Sequence, residues 1–201
     1  MSQTMSLKDA ERRAWTIYFQ DGLWDLFFGF LFLAGGLRTL TDSLWSYLLV
    51  VAGLLLFIYG RKMITLPRLG EIKFGPKRKT KRLTLLILIM VAVALTFAVL
   101  LLPVLGIAEP GPNAGLLFAV IVPMIFVIMA FLMDFKRLYG YAALVAIYML
   151  LTETVSLQAG AVVQVAAGLI AITIGLWHLI HFLRDYPLPE EEFMPEENSD
   201  G

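Results

Sequence analysis

The sequence predicts an all-α integral membrane protein: six transmembrane helices arranged as three antiparallel hairpins, with both termini in the cytoplasm. Three observations predict it. Hydrophobic residues make up 59% of the 201-residue chain and charged residues 16%, against roughly 45–50% and about 25% in soluble domains. The charges are gathered between long apolar runs, a segregation that a water-facing surface does not tolerate. The runs themselves are close to the ~20 residues that a helix needs to cross the hydrocarbon core. They also lack the strict alternation of a β-barrel, and backbone groups in lipid must be satisfied within the segment, so helices are the assignment.

The first 20 residues carry no apolar core beside a small-residue cleavage site, so no removable signal peptide is expected. Leu7, Ala10, Ala14, Ile17 and Tyr18 recur at helical spacing with charges between them, and Ser6 and Asp9 suit a helix start. Residues 1–20 are therefore expected to form an amphipathic segment lying on the membrane surface. The membrane domain, 21–185, contains the six apolar segments at about 22–40, 44–60, 83–105, 114–133, 138–157 and 160–183. Segments one and two, and five and six, are joined by very short connections. Segments three and four are joined by GIAEPGPNAG, whose Gly and Pro residues break helices. Pro103 and Pro123 fall inside segments three and four, where each removes a helical hydrogen bond.

Orientation follows from lysine and arginine. With the N-terminus inside, Lys8, Arg12, Arg13, nine basic residues from Arg61 to Arg82, Lys136, Arg137 and Arg184 all lie on the cytoplasmic side. Arg38 is the exception, and 15 of the 16 basic residues obey the positive-inside rule. The expected location is the cell (cytoplasmic) membrane. The basic loop, 61–82, also presents Lys77, Arg78, Lys79, Lys81 and Arg82 to anionic lipid headgroups, each worth on the order of 1 kcal/mol near the surface. Its interleaved Ile64, Leu66, Leu69, Ile72 and Phe74, with turn signals at Pro67, Gly70 and Gly75-Pro76, suggest a small folded element such as a short hairpin. No nucleic-acid-binding module is recognisable in it. The tail, 186–201, is acidic and Pro-containing and is expected to be disordered.

Two stripes mark buried helix faces. Segment six carries Ala161, Gln164, Gly168, Ala171, Gly175 and His178 at steps of three and four. Segment one carries Gly22, Asp25, Gly29, Phe32 and Gly36. Small residues let helices approach closely in lipid, so these two segments belong at the bundle centre or at a subunit interface. Gln164 is the polar marker of a lumen, if there is one.

Ionisable residues at membrane depth are costly and are functional candidates by default. Asp21 and Asp25 (i, i+4) and His178 and His181 (i, i+3) each share a helical face, at the same predicted end of the bundle. Together they are a candidate divalent-metal set, a proton relay, or an acid–base pair for a lipid headgroup. The bland alternative is interfacial: carboxylates at a helix N-terminus and imidazoles near a C-terminus complement the helix dipole. The spacing matches no metalloenzyme signature. At the other end, Arg38 and Glu153 are a candidate structural latch. With no cysteine, disulfides, thiolate sites and cysteine nucleophiles are excluded.

DGLWDLFFG and LPRLGEIKFGPKRK stand out as signature-like, but neither carries an assignable function. Three function classes remain: small-solute or ion transport, a non-catalytic accessory or scaffolding subunit, and a metal-dependent lipid-modifying enzyme, in that order. The expected partners are the bilayer, anionic lipids, and either a second copy or another membrane protein.

Overall fold

The computed structural model describes residues 21–69, 80, 83–84, 87–88, 90–91 and 114–188. Among these the chain is helical and forms no strand. Helix α1 spans Leu23–Thr41. A 3₁₀ turn, Leu44–Ser46, leads into α2, Tyr47–Gly60, which runs on through a π-helical turn, Arg61–Thr65, into the short α3, Leu66–Leu69. Then follow α4, Ala114–Met133, α5, Arg137–Thr154, and α6, Leu157–Asp185.

Four of these stretches are long and apolar enough to cross a membrane: Leu23–Thr41, Leu44–Arg68, Gly115–Met133 and Leu157–Asp185. The α5 helix, with Tyr139, Tyr141, Tyr148, Thr152 and Glu153, is less apolar and is not among them. Of the expected third span, 83–105, the described residues up to 91 are helical and the rest lies outside the described residues. The amphipathic segment 1–20, Pro103, most of the tail, and Lys77, Arg78, Lys79, Lys81 and Arg82 also lie outside them.

Local chemistry sets the helix boundaries. The Ser43 side chain accepts the Trp45 amide at 3.3 Å, and Ser156, in extended conformation, accepts the Ala159 amide at 3.1 Å to start α6. Asp42 and Asp134 close α1 and α4 in left-handed conformation, which Asp tolerates better than most residues. The hairpin expected around Pro67 is replaced, as far as Leu69, by helix. Pro67 lies near the C-terminal end of the continuous helical stretch Leu44–Arg68, just past the π turn.

The most extensive helix interface is between α1 and α6, and the two small-residue stripes face each other across it. A Cβ on Gly29 would stand 2.8 Å from the Ile172 amide nitrogen, one on Gly168 2.7 Å from that of Leu33, and one on Gly175 2.8 Å from that of Leu26. Backbone therefore touches backbone along the whole interface, the close approach that drives helix association in lipid. Further along, Phe28, Phe32, Phe126, Met133, Phe135, Leu138, Tyr141 and Val145 join Ala167 and Ala171 in one core shared by α1, α4, α5 and α6. By contrast, α2 leaves Leu48, Val51, Leu54, Leu55, Ile58 and Tyr59 exposed.

Candidate functional site: a buried charge network at one end of the bundle

Three stretches each contribute a polar pair four positions apart to the same end of the bundle: Asp21 and Asp25, Arg61 and Thr65, Arg137 and Tyr141. On the helices this spacing places Arg61 with Thr65 and Arg137 with Tyr141 on one face, while Asp21 stands just before α1 and Asp25 in its first turn. Asp21 and Asp25 are completely buried. One Asp21 oxygen accepts the Leu23 amide at 3.0 Å and the other accepts the Thr65 hydroxyl at 2.8 Å. For Asp25, Oδ1 accepts the Tyr141 hydroxyl at 2.6 Å, and Oδ2 lies 2.6 Å from Arg137 Nη1. Two carboxylates one turn apart thus tie the start of α1 to the end of α2 and to the start of α5.

Aromatic rings wall the network. The Arg61 guanidinium lies 5.1 Å from the Phe57 ring and 5.8 Å from Trp24, and that of Arg137 lies 4.9 Å from Phe135. Trp24 stacks on Phe28, which in turn meets Phe126 and Tyr141. Gly22 makes the approach of α1 to α6 possible. Its backbone is left-handed at φ 84°, and a Cβ there would collide with the Gly175 carbonyl oxygen and sit 2.8 Å from the Leu179 amide nitrogen.

Burial raises the Asp21 carboxyl from its ordinary value, against the lowering pull of the Thr65 hydroxyl, Arg61 and the Leu23 amide. A raised folded-state value favours the protonated form in the folded chain. The stability this contributes is complete below the ordinary carboxylate range and is lost as pH rises through the raised value. Asp21→Asn is therefore expected to flatten the stability profile above the ordinary carboxylate range, as read by thermal unfolding in mild detergent. Thr65→Val keeps the shape and removes the hydroxyl, leaving a buried carboxylate oxygen unanswered. The expected cost is about 1–2 kcal/mol, with unfolding midpoints in detergent as the check.

The histidines have other company. His178 packs by its Cβ against Gly22, within electrostatic reach of Arg137 and His181. His181 is exposed, and its Nδ1 pairs with the Trp177 carbonyl at 3.0 Å. Trp177 contacts both imidazoles edge-on or tilted. Among the described residues no three His, Asp or Glu side chains are placed to hold a metal ion. Of the expected set Asp21, Asp25, His178 and His181, the two carboxylates are engaged by Thr65, Tyr141 and Arg137, and His178 stands beside Gly22.

At the opposite end, Arg38 and Glu153 take separate partners in place of the expected latch. Arg38 pairs with Asp42 one turn further on, and the Glu153 carboxylate lies against Gly115 in the first turn of α4, where a negative charge complements the helix dipole. Gln164 is half-buried and lays its amide over Gly35. Sequence reasoning missed Thr65, Tyr141, Arg61 and the pairing role of Arg137. The i, i+4 spacing of Arg137 and Tyr141 is a usable signal, although the same arginine also fits a topogenic charge. Comparison with protein-family models, curated proteins and solved structures finds no match.

Proposed function

We propose that this chain is a non-catalytic accessory or scaffolding subunit of a membrane assembly. The observation that carries the reading is the internal use of its membrane-depth polar groups. Asp21, Asp25, Thr65 and Tyr141 answer one another or Arg137, and Gln164 lies over Gly35 along a glycine-lined helix contact. A polar path between α1 and α6 would need that contact open. In this reading the bundle is a rigid platform of six spans, with both termini and the basic loop 61–82 on the cytoplasmic side. The loop's cations meet anionic lipid or an acidic partner surface.

The test is native mass spectrometry of the full untagged chain released from its membrane in mild detergent, with vesicle flux measured on the same preparation. A second polypeptide at fixed ratio is expected, lost when Lys77, Arg78, Lys79, Lys81 and Arg82 are changed to glutamine. Proton or ion flux above that of empty vesicles, abolished by Asp25→Asn, would overturn the reading.

A second reading, ion or small-solute handling, is favoured by one specific observation. Arg137 Nη2 is buried with no hydrogen-bond partner among the described residues. It is the donor that an anion or a water molecule entering the network would take. Buried ion pairs are weak devices for stability, which argues that such a pair is kept for another reason.

A further inference from the structure

Beyond α6 the described chain ends at Leu188, which is exposed, and residues 189–201 follow it. They carry Glu190, Glu191, Glu192, Glu196, Glu197 and Asp200 and no basic residue, with Phe193 and Met194 between the two glutamate runs. The C-terminal part of α6 lies at the same end of the bundle as the charge network, because Gly22 packs against Gly175, His178 and Leu179. The acidic tail therefore starts at the end where Arg61, Thr65 and Arg137 collect.

The surface of that end is rich in cations. Lys62, Lys136 and Arg184 are exposed, and among the described residues none of them has an ion-pair partner. Asp21 and Asp25 do not answer them, since both are buried in the network. One patch joins charge to apolar surface. Past Arg61, the residues Lys62, Met63 (70% exposed), Leu66 (42%) and Pro67 are all open, while Thr65 is held inward by Asp21. Arg68 closes the stretch, half-buried, with Nη1 donating to the Ile64 carbonyl at 3.1 Å.

Helix length puts this patch at the edge of the bilayer. From Leu44 the apolar helix has risen about 30 Å by Thr65, which is about the thickness of the hydrocarbon core. On α6, the rise from Leu157 to Leu179 is about 33 Å, and Leu179 meets Gly22, the neighbour of Asp21. Leu66, Pro67 and Arg68 thus stand among headgroups and water, where acyl chains cover an apolar side chain poorly.

The tail is long enough to reach them. Helix α1 stands between α2 and α6, touching the first where Leu23 meets Gly60 and the second where Gly22 meets Gly175. Two packed-helix spacings of roughly 8–10 Å each put the patch about 20 Å across from α6. An extended chain covers about 3.3 Å per residue, so Phe193 reaches about 17 Å from Leu188 and Glu197 about 30 Å.

We propose that the acidic tail, residues 189–201, docks on the outward patch of residues 62–68, with Phe193 and Met194 against Met63 and Leu66 and the flanking glutamates at the cations. The two patterns are complementary: acid, apolar, acid in the tail, and cation, apolar, cation on the patch. Exposed ion pairs are individually weak. The covalent tether compensates, because it holds the tail beside the patch at a high effective concentration. Docked there, the tail keeps an anionic surface or an acidic partner off the patch until it is displaced. The contact is intramolecular and stands whether or not the chain is an accessory subunit.

The chain contains no cysteine, so a pair of introduced thiols reports cleanly. Tyr59→Cys, exposed one turn before Met63, and Asn198→Cys in the tail are spin-labelled in the full chain. The protein is diluted with unlabelled chain and reconstituted alone into phosphatidylcholine vesicles. The expected result is a short-distance population at about 10 mM salt that is lost at about 1 M, where the screening length falls from about 30 Å to about 3 Å. The same loss is expected when Glu190, Glu191, Glu192, Glu196 and Glu197 are changed to glutamine, which alters no residue of the bundle, and in Lys62→Gln/Arg68→Gln. A distance distribution identical at both salt concentrations and in the glutamine tail would overturn the proposal. A short population that survives Lys62→Gln/Arg68→Gln, yet is lost when Lys77, Arg78, Lys79, Lys81 and Arg82 are changed to glutamine, would put the tail on the basic loop and overturn it as well.

Discussion

Arg137→Met is expected to destabilise the protein by about 3–5 kcal/mol, because it leaves the Asp25 carboxylate buried without its counter-charge. Asp25 has no exposed surface, and its remaining partner, the Tyr141 hydroxyl, cannot neutralise a full charge. Asp25→Asn should fall in the same range for the reciprocal reason: the amide still accepts from Tyr141 but offers nothing to the guanidinium. The double variant separates the pair from its surroundings. With both charges removed no ion remains uncompensated, so the double should cost less than the two single changes added together, with a coupling of about 1–3 kcal/mol. Unfolding midpoints in mixed detergent, followed by tryptophan fluorescence, measure all three. Strict additivity would show that the 2.6 Å pair contributes nothing beyond its separate parts.

Gly22→Ala should be strongly destabilising, because among the described glycines it combines a left-handed backbone with a backbone clash. Two independent penalties meet there. A left-handed backbone at φ 84° costs a residue with a Cβ roughly 1–2 kcal/mol. The added carbon also meets the backbone of α6 at Gly175 and Leu179, which cannot rotate away as a side chain can. Overpacking of this kind adds about 1–3 kcal/mol, so a total near 3 kcal/mol or failure to fold is expected. Gly140→Ala is the matched control, since a Cβ there meets nothing within 4 Å and replaces a helical glycine with a better helix former. It should leave stability unchanged or raise it. Equal effects at the two positions would show that the α1–α6 contact is looser than the geometry requires.

Much of the fold is legible in the sequence. Apolar length alone placed α1, α4 and α6, and their ends fall within a few residues of the expected ones, because a helix in lipid must satisfy its own backbone. The glycine and alanine steps of three and four on segments one and six announced which faces would be buried. They could not say that those two faces would meet each other, since a stripe of small residues is equally fitted to any close neighbour. Loop chemistry was the weaker guide. Pro67 reads as a turn signal, yet α2 carries on through a π turn to Leu69, held by the Thr65–Asp21 bond that spans 44 positions in the sequence.

The candidate site divides in the same way. Asp21 and Asp25 were identifiable from the sequence, because a carboxylate beside an apolar span is conspicuous and the i, i+4 spacing is local geometry. Their partners were not. Thr65, Arg137 and Tyr141 lie far away along the chain, and nothing in a linear pattern distinguishes an arginine that marks topology from one whose guanidinium is turned into the bundle. The sequence by itself determined the helices, their apolar faces and the end of the bundle at which charge would collect, because hydropathy and helical period act within one segment. Only the tertiary structure decided that the carboxylates would take arginine, threonine and tyrosine, and that Arg38 would choose Asp42 over Glu153. Which groups a buried charge meets depends on the packing of several helices at once.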